Sequence, residues 1–503
     1  MTLHAERFCR SQYFPDRDAF TSLAREGNLI PVYREILADM ETPVSAMAKI
    51  DDGAYAYLLE SVEGGEQWAR YSFLGIGAFL VLRGDHNGIS VVQGDTTTPY
   101  PADSTPLEVL RSVMSQYRPV SVEGLPRFYG GAIGYLSYDV AHQLDEIPKR
   151  EKPCLDQPQF VFLLTDMLLV FDNVAKTIKV VVCVHTAGND LSNAYSEALE
   201  RIDTMIERLK KPRLGYVHQP TSSKCVTFHS NLKQEAFEKM VLSAKEYIRA
   251  GDIVQAVLSQ RWETEITAMP FDIYRALRLT NPSPYLYYLR IGDMALIGSS
   301  PEVLVRCEEG QVEVRPIAGT RQRGKTATED QRLKEELQAD EKERAEHVML
   351  VDLGRNDVGR VARYGTINVS DFMIVEYYSH VMHLVSRVEG ALQQGHDAFD
   401  VIKACFPAGT VSGAPKIRAM QIIDELEPVC RGSYAGTVGY VGFSGNTDTC
   451  IGIRTIVVKG NRAYIQAGAG IVADSDPTRE FEETCSKAKA MMAAIEMAEY
   501  GLE

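Results

Sequence analysis

Two glutamates and a glycine-rich stretch near the end of the chain have the residue types and spacing for chemistry. Gly468-Ala469-Gly470 follows an apolar strand and predicts a turn whose backbone N–H groups suit an anion. A helix is predicted to begin after Pro477, and it carries Glu480 and Glu483 on one face, where their oxygens suit a divalent cation. The segment therefore predicts a metal-assisted site for an acidic substrate. The alternative is an ordinary turn followed by an acidic first helical turn that complements the helix dipole.

A second acidic pair lies in the middle of the chain. Glu343 and Glu346 are one turn apart in a charged helix that we predict from Glu329 to about Leu353. Glu346 stands where this helix becomes apolar, and a partly desolvated carboxylate is costly unless it is paired or bound to a metal. The two acidic pairs together favour one shared Mg²⁺ site, because Mg²⁺ uses one or two protein carboxylates and leaves positions for substrate oxygens.

Three other segments carry groups that suit an anion. Arg454 lies in an apolar strand, where it requires an anionic partner. Thr410 lies at the approach to a helix that we predict to be capped by Ser412 or Gly413, and a helix N-terminus binds anions. Gly319-Thr320-Arg321 leads from a strand into a basic loop, which either presents a hydroxyl and an arginine to a carboxylate or is a hairpin with a solvated tip.

The composition indicates a soluble globular protein. The net charge of -15 argues against nucleic acid as the main partner, because phosphate binding needs a basic face. The nine cysteines are scattered and form no Cys-x-x-Cys, which indicates a reducing compartment without a disulfide framework or a zinc site. No signal peptide is recognisable, and the longest apolar run is too short to cross a bilayer. We therefore expect a cytoplasmic protein that does not bind membranes.

A polar segment, 210–224, with two prolines and a Ser-Ser pair predicts a linker between two domains. After it, the spacing of apolar residues predicts a helix from Lys233 to Ala250 that stops at Gly251. Before it, segments rich in aromatic and β-branched residues predict strands at Ala54–Glu60, Tyr71–Leu82, Phe128–Tyr138, Phe160–Phe171 and Thr177–Val184.

Six motifs in the same order resemble the chorismate-utilising enzymes. They are Pro316–Arg321, Arg344–Asp357, Pro407–Lys416, Arg431–Tyr434, Ile453-Arg454 and Gln466–Thr484. The resemblance implies an α+β fold, in which an orthogonal antiparallel β-sandwich is flanked by helices. It also implies an N-terminal regulatory, tryptophan-binding domain over residues 1–212 and a chorismate-binding catalytic domain over residues 225–503.

The resemblance also implies roles for the residues introduced above. Glu346 and Glu483 would hold Mg²⁺, with Glu343 and Glu480 as outer or alternate ligands, and the metal would bind the ring carboxylate of chorismate. Arg454, Tyr434 and the Gly468–Gly470 backbone would bind the enolpyruvyl carboxylate. Gly319, Thr320, Arg321 and Thr410 would line the ring. His383, whose simpler interpretation is a core residue of a strand, matches the histidine associated with the elimination of pyruvate.

Two further positions select the reaction that the resemblance implies. In relatives that add water, a lysine acts as the base at the position of Gln255, and in relatives that use a covalent nucleophile, a lysine occupies the position of Ala318. Neither residue here can act in that way, so direct attack of ammonia on C2 and loss of pyruvate remain. No Gly-x-Cys-x-Gly motif of a glutaminase is present, and we expect a separate glutamine amidotransferase subunit in a hetero-oligomer.

Two alternatives stay open. One is an enzyme that stops at the aminated intermediate, 2-amino-2-deoxyisochorismate. The other is a non-catalytic subunit that only senses an amino acid. A regulatory site is implied by Ser61, Arg70, Pro284 and Tyr285, which resemble the tryptophan feedback site of the family. For the segment from Asn281 to Tyr285, the simpler interpretation is a proline-rich turn.

Overall fold

Two large antiparallel sheets organise the chain in the computed structural model. The structure describes residues 12–51, 53–61, 70–85, 88–101, 104–145, 147–148, 150–188, 190–211, 226–378 and 381–502. Within these ranges the first sheet has 13 strands and the second has 12. Together with the flanking helices they confirm the predicted α+β class.

The strands are numbered in chain order. They are β1 Tyr13–Phe14, β2 Leu29–Leu37, β3 Tyr55–Glu60, β4 Tyr71–Ile76, β5 Leu80–Asp85, β6 Gly88–Gln93, β7 Thr96–Pro99, β8 Gly131–Leu136, β9 Phe160–Thr165, β10 Met167–Asp172, β11 Thr177–His185, β12 His229–Ser230, β13 Gln255–Glu265, β14 Tyr285–Ile291, β15 Met294–Ser300, β16 Val303–Glu308, β17 Gln311–Val314, β18 Ile317–Gln322, β19 Asn368–Tyr377, β20 Val381–Ala391, β21 Gly413–Ala414, β22 Thr437–Gly442, β23 Thr447–Ile451, β24 Thr455–Lys459 and β25 Arg462–Ile471.

The α-helices lie between these strands. They are α1 Arg17–Leu23, α2 Pro43–Ile50, α3 Pro106–Met114, α4 Ala141–Leu144, α5 Leu191–Lys210, α6 Gln234–Arg249, α7 Pro270–Thr280, α8 Ala327–Ala339, α9 Glu341–Gly359, α10 Ala398–Cys405, α11 Lys416–Leu426 and α12 Pro477–Tyr500. The helix predicted from Lys233 to Ala250 is confirmed as α6, and Gly251 follows it with a φ of 82°. None of these helices, among the residues described, is long and apolar enough to cross a membrane.

Alternating side chains along the first sheet build two cores. On β14, Tyr287 and Leu289 belong to one core with residues of the second sheet, whereas Leu286 and Tyr288 belong to another core. That second core includes residues of α5, α7 and α12. Because side chains on a strand alternate between faces, the first sheet is covered on one face by the second sheet and on the other by helices.

Strands from both sides of the predicted linker share each sheet. In the first sheet β3 pairs with β14, with Leu58 opposite Tyr288. In the second sheet β8 pairs with β22, with Gly134 opposite Gly439. The predicted division at residues 212–225 is therefore not a division between separate sheets, and that segment lies outside the described residues. The assignment of separate functions to the two parts stays a prediction.

Three local predictions were wrong. Gly468 and Gly470 lie inside strand β25 and do not form a turn. The charged helix is interrupted at Asp340, whose side chain accepts hydrogen bonds from the backbone of Lys342 and Glu343 and so begins a new helix, α9. The residue that precedes α11 is Pro415, whereas Gly413 belongs to the short strand β21.

The expectation that no cysteines are joined was also wrong. Cys154 and Cys430 form a disulfide, although 276 residues separate them in the sequence. The pairing was not predictable from spacing, because it depends on a loop before β9 that lies against the segment following α11. The backbone N–H of Cys430 donates to the carbonyl of Pro153 at 3.1 Å in this contact.

Candidate active site

A cavity of about 970 Å³ lies where the two sheets, α9 and the segment 409–411 meet. It brings together residues that are far apart in the sequence. Among the predicted site residues, those that line it are Thr320, Glu346, His383, Thr410, Tyr434, Arg454, Gly468 and Gly470. The side chains of Gln255, Ala318, Glu302 and Lys487 complete much of the remaining wall.

The glycines of β25 leave space for neighbouring polar groups in this wall. A Cβ atom at Gly468 would lie 2.6 Å from the hydroxyl oxygen of Tyr434, and one at Gly470 would lie 2.5 Å from Nε2 of Gln255. Ala469 points to the opposite face of the strand, where it packs in a core beneath α6. The glycines are therefore required for the close approach of side chains, and Ala469 does not line the cavity.

Arg454 is a partly buried cationic group in the wall of the cavity. It has a φ of 50°, and its guanidinium donates to the carbonyl oxygen of Lys487 at 3.2 Å. Burial lowers its pKa, while Tyr434 and Glu483 partly offset this effect. No ion pair holds the guanidinium among the described residues, so it is available to an anionic ligand.

His383 lies on β20 beside the loop that was predicted to contact a substrate. Its Nδ1 atom is 3.0 Å from the carbonyl oxygen of Gly319 and 3.1 Å from Oγ1 of Thr320. Burial lowers the pKa of the imidazole, which favours the neutral ring. With Nδ1–H donated to the carbonyl of Gly319, the lone pair resides on Nε2, so that Nε2 can accept a proton.

Arg321 does not line this cavity. Its guanidinium is held in ion pairs with Asp340 at 2.8 Å, with Glu343 at 3.1 Å and with Glu336 at 3.3 Å. It therefore fastens β18 to α8 and α9 and is not directed at the predicted ligand. Gly319 contributes its carbonyl oxygen and a φ of 66°, which glycine adopts at no steric cost.

The four predicted metal-binding glutamates come from α9 and α12. Glu346 lines the cavity, and its pKa is raised by burial and by the nearby carboxylates of Glu343 and Glu483. The pKa of Glu480 is raised by burial and by Glu483. Glu483 forms an ion pair with Lys487 at 2.7 Å. These carboxylates face one another closely enough to repel, although no three acidic, histidine or cysteine side chains of the described residues converge on one point.

This donor set suits a divalent cation of the Mg²⁺ type. Hard carboxylate oxygens are its preferred protein ligands, and it retains positions for ligand oxygens and water. Glu346 and Glu483 come from separate helices, and a cation bound to both would offset the repulsion that adds to the effect of burial in raising the pKa of Glu346.

Glu302 is a functional candidate that the sequence analysis missed. It follows β15 and is half-buried at the cavity wall, and this desolvation raises its pKa from 4.5 to about 7. The hydroxyl of Thr410 and the charge of Lys487 only partly oppose this effect. A carboxyl group that keeps its proton near neutral pH can act as a general acid. No local pattern in the sequence marks it, because its burial depends on distant segments.

A second cavity, of about 530 Å³, contains most of the predicted regulatory residues. Ser61, Pro284 and Tyr285 line it, together with aromatic side chains and four charged residues, Glu60, Arg127, Arg306 and Asp448. The hydroxyl of Tyr285 donates to Asp448 at 2.8 Å, and Arg306 forms an ion pair with the same carboxylate at 3.0 Å. Arg70 is not in the wall, because it forms an ion pair with Asp172 at 2.8 Å.

Comparison with known proteins identifies the family. A family model described as "chorismate binding enzyme" matches residues 57–493. Anthranilate synthase component 1 of Acetivibrio thermocellus is 47% identical, over 97% of this chain and 99% of its own length. The protein of the same name from Aquifex aeolicus is 48% identical, over 96% and 97%. Component I of anthranilate synthase from Streptococcus pneumoniae, a solved structure, has a TM-score of 0.75 at 37% identity and covers 91% of this chain and 99% of its own. The chain therefore belongs to the chorismate-binding enzymes and, within them, to the anthranilate synthase component 1 proteins.

Proposed function

We propose that the protein converts chorismate and ammonia to anthranilate, pyruvate and water. The observation that carries the proposal is that Gln255 and Ala318 line the same cavity as Arg454 and His383. A lysine at either of the first two positions would supply a base for water or a covalent nucleophile. An amide and a methyl group supply neither. Ammonia needs no such help, because its neutral form is already a good nucleophile.

Chorismate carries two carboxylates, and we propose a separate part of the cavity for each. The enolpyruvyl carboxylate would bind Arg454 and the hydroxyl of Tyr434, beside the backbone of Gly468. The ring carboxylate would lie at the Glu346 and Glu483 end, where Mg²⁺ would be held. When bound, Mg²⁺ supplies the positive charge that an anionic substrate needs beside two carboxylates. Its binding would replace Lys487 as the partner of Glu483.

The two acid–base groups suit the two stages of the reaction. Ammonia attacks C2 while the hydroxyl group at C4 leaves as water, and the protonated carboxyl of Glu302 would donate the required proton. In the second stage the proton on C2 is removed and the enolpyruvyl group leaves as pyruvate. Nε2 of His383 would accept that proton, since Nδ1–H is directed at the carbonyl of Gly319.

We also propose that ammonia comes from a glutamine amidotransferase partner. The chain has no glutaminase motif, and free cysteines such as Cys183 and Cys405 are buried with raised thiol pKa values, so they are poor nucleophiles. The word "component" in the names of its relatives supports a second subunit.

The second cavity supports feedback inhibition by tryptophan. Its aromatic wall suits an indole ring, and the Arg306–Asp448 pair offers both charges to an amino acid. The cavity is also connected to the active site. The hydroxyl of Ser283 donates to the carbonyl of Ser300 at 2.8 Å, two residues before Glu302, and the N–H of Ser299 donates to the carbonyl of Arg454 at 3.1 Å.

One experiment tests the reaction. The purified chain is incubated with chorismate and Mg²⁺, either with ammonium at alkaline pH or with glutamine, and anthranilate is followed by its fluorescence. We expect turnover with ammonium and none with glutamine alone. Isochorismate or salicylate as the product would contradict the proposal, and accumulation of 2-amino-2-deoxyisochorismate would favour the enzyme that stops at that intermediate. Binding of tryptophan without turnover would identify a sensing subunit.

A further inference from the structure

His347 is a completely buried histidine next to Glu346 on α9. The buried residues of this helix include His347, Leu350, Val351, Gly354 and Val358, which recur at helical spacing and form the face against the sheets. His347 is the first of them, and apart from Asp357 near the end of the helix the other buried residues of α9 are apolar. Burying a polar group costs free energy unless it is hydrogen-bonded, so the imidazole needs a partner inside the protein.

That partner is Ser386 on β20. Nε2 of His347 lies 2.6 Å from Oγ of Ser386, which is itself fully buried. The same oxygen accepts a hydrogen bond from the backbone N–H of Met373 at 2.9 Å. The contact between Nε2 and Oγ is one hydrogen bond, in which Nε2 donates or accepts according to the histidine tautomer. Ser386 thus bonds to the histidine and also accepts from the backbone of β19.

Ser386 connects the elements that carry the active site. Its backbone N–H donates to the carbonyl of Pro316 at 3.2 Å, just before β18, which carries Thr320. On its own strand it follows His383 by three residues. Through His347 it also holds α9, which carries Glu346. The hydrogen bond between His347 and Ser386 therefore links α9, which carries Glu346, to β20, which carries His383. Through the backbone of Ser386 it also connects α9 to the start of β18, which carries Thr320.

Ion pairs hold α9 near its two ends, Arg321 with Glu343 at 3.1 Å and Lys416 with Asp357 at 2.9 Å, and the bond from His347 adds a buried directional contact next to Glu346. Successive residues on a helix differ by about 100° in direction, so a small rotation of α9 would swing Glu346 into or out of the cavity. Further along, α9 lies close to the sheet, where a Cβ at Gly354 would be 3.0 Å from Val314. That contact fixes the distance between helix and sheet but has no directional preference.

We propose that His347 is a positioning residue whose hydrogen bond to Ser386 sets the rotation of α9 and so directs the Glu346 carboxylate towards a bound divalent cation. The inference rests on the proposed function, since it concerns the proposed Mg²⁺ site. His347 itself does not line the cavity. Replacing His347 should therefore weaken the binding of the cation before it weakens the binding of chorismate.

The test uses Mn²⁺ as the probe, titrated by electron paramagnetic resonance with chorismate present and ammonia absent. His347→Leu and Ser386→Ala each remove the bond from one side, and the double variant removes both partners. Loss of an outer hydrogen bond to a metal site typically weakens binding about 10- to 100-fold. We expect that range for each single variant and no further loss in the double variant. His347→Gln, whose side-chain amide can donate to or accept from Oγ of Ser386, should restore much of the affinity.

Val351→Ala is the matched control, because it truncates a buried residue of the same helix outside the cavity. It should lower the melting temperature without changing Mn²⁺ affinity. Parent-like affinity in His347→Leu, additive losses in the double variant, or an equal loss in Val351→Ala would overturn the proposal. Ser386→Ala removes one atom and serves if His347→Leu does not fold. Absence of Mn²⁺ binding by the parent would instead contradict the proposed metal site.

Discussion

The Nδ1 atom of the His383 imidazole lies 3.0 Å from the carbonyl oxygen of Gly319. This contact depends on a bulge, because the register between β18 and β20 shifts between Ala318 and Thr320. The shift occurs at the glycine with a φ of 66° and allows its carbonyl to reach the ring. The loop predicted to bind a substrate therefore also sets the tautomer of the proposed base.

His383→Ala should separate the two stages of the reaction. Ammonia addition does not use the imidazole, whereas the removal of the proton on C2 does. We expect accumulation of 2-amino-2-deoxyisochorismate and a decrease of about 10²- to 10⁴-fold in anthranilate formation, the usual contribution of a general base. The products are separated by chromatography and identified by NMR. Release of anthranilate at the parent rate would show that another group removes this proton.

Glu302→Gln should remove the general acid without changing the shape of the site. Burial raises the pKa of Glu302 to about 7, so the proton-donating form is present below that pH and lost above it. At a fixed concentration of free ammonia, kcat of the parent should fall as the pH rises through about 7. The glutamine variant should be slower by about 10²-fold or more and lack this decrease. An unchanged pH profile in Glu302→Gln would assign the decrease to another group.

The raised pKa of Glu302 also predicts that the stability of the protein depends on pH. The folded-state pKa of Glu302 is raised, so its stabilising effect is complete below 4.5 and is lost as the pH rises through about 7. Above that pH a buried charge destabilises the parent by roughly 3 kcal/mol, since one pKa unit corresponds to about 1.4 kcal/mol. Glu302→Gln should therefore gain stability relative to the parent between pH 5 and pH 8. Denaturant unfolding at both pH values measures the difference, and a constant difference would contradict the shift.

The sequence predicted the composition of the site better than its geometry. Charged and glycine residues such as Arg454 and Gly468 are conspicuous in apolar strands, and the structure brings both into one cavity. The local sequence nevertheless predicts a turn at Gly468. Glycine is needed there to leave space for the hydroxyl of Tyr434, which lies 34 residues earlier in the sequence. Glu302 gave no signal at all, since its raised pKa results from burial by distant segments.

A local capping signal explains why the predicted charged helix is divided into two helices in the structure. Asp340 with Glu343 three residues later has the spacing of a helix start, and this signal could have divided the charged helix correctly. The sheet order could not have been predicted in this way. Pairing of β3 with β14 joins residues more than 200 positions apart, and no local pattern specifies it. Arg321 was misassigned for a similar reason, because its carboxylate partners come from two other helices.

Ser61→Ala should reduce inhibition by tryptophan while ammonia-dependent activity is retained. Ser61 lines the second cavity and is absent from the wall of the active site. Loss of one hydrogen bond to a ligand typically weakens binding by about 10-fold or more. The half-inhibitory concentration of tryptophan and its dissociation constant from calorimetry should therefore rise together. Full sensitivity of Ser61→Ala to tryptophan would count against the assignment of the second cavity as the tryptophan site. The comparison variant is Arg70→Ala, because Arg70 lies outside the wall of that cavity.

Arg431→Met should destabilise the fold strongly, and removal of both charges should restore much of the loss. The guanidinium of Arg431 forms a buried ion pair with Glu427 at 2.7 Å and also donates to the carbonyl oxygens of Val411 and Val257. It therefore ties the end of α11 to β13 and to the segment that carries Thr410. Removing the arginine leaves a buried carboxylate without a positive counter-charge, at a cost of about 3–5 kcal/mol.

The double variant Arg431→Met, Glu427→Gln distinguishes this effect from the loss of packing. It removes the isolated charge, although the amide can still accept from the N–H of Ser259, as Glu427 does at 2.8 Å. We expect denaturant unfolding to show that the double variant is more stable than Arg431→Met alone, by about 1–3 kcal/mol. Equal stability would mean that the arginine acts through its contacts with the carbonyl oxygens. In that case Arg431→Lys, which keeps the charge but has a single donor group, should be as unstable as Arg431→Met.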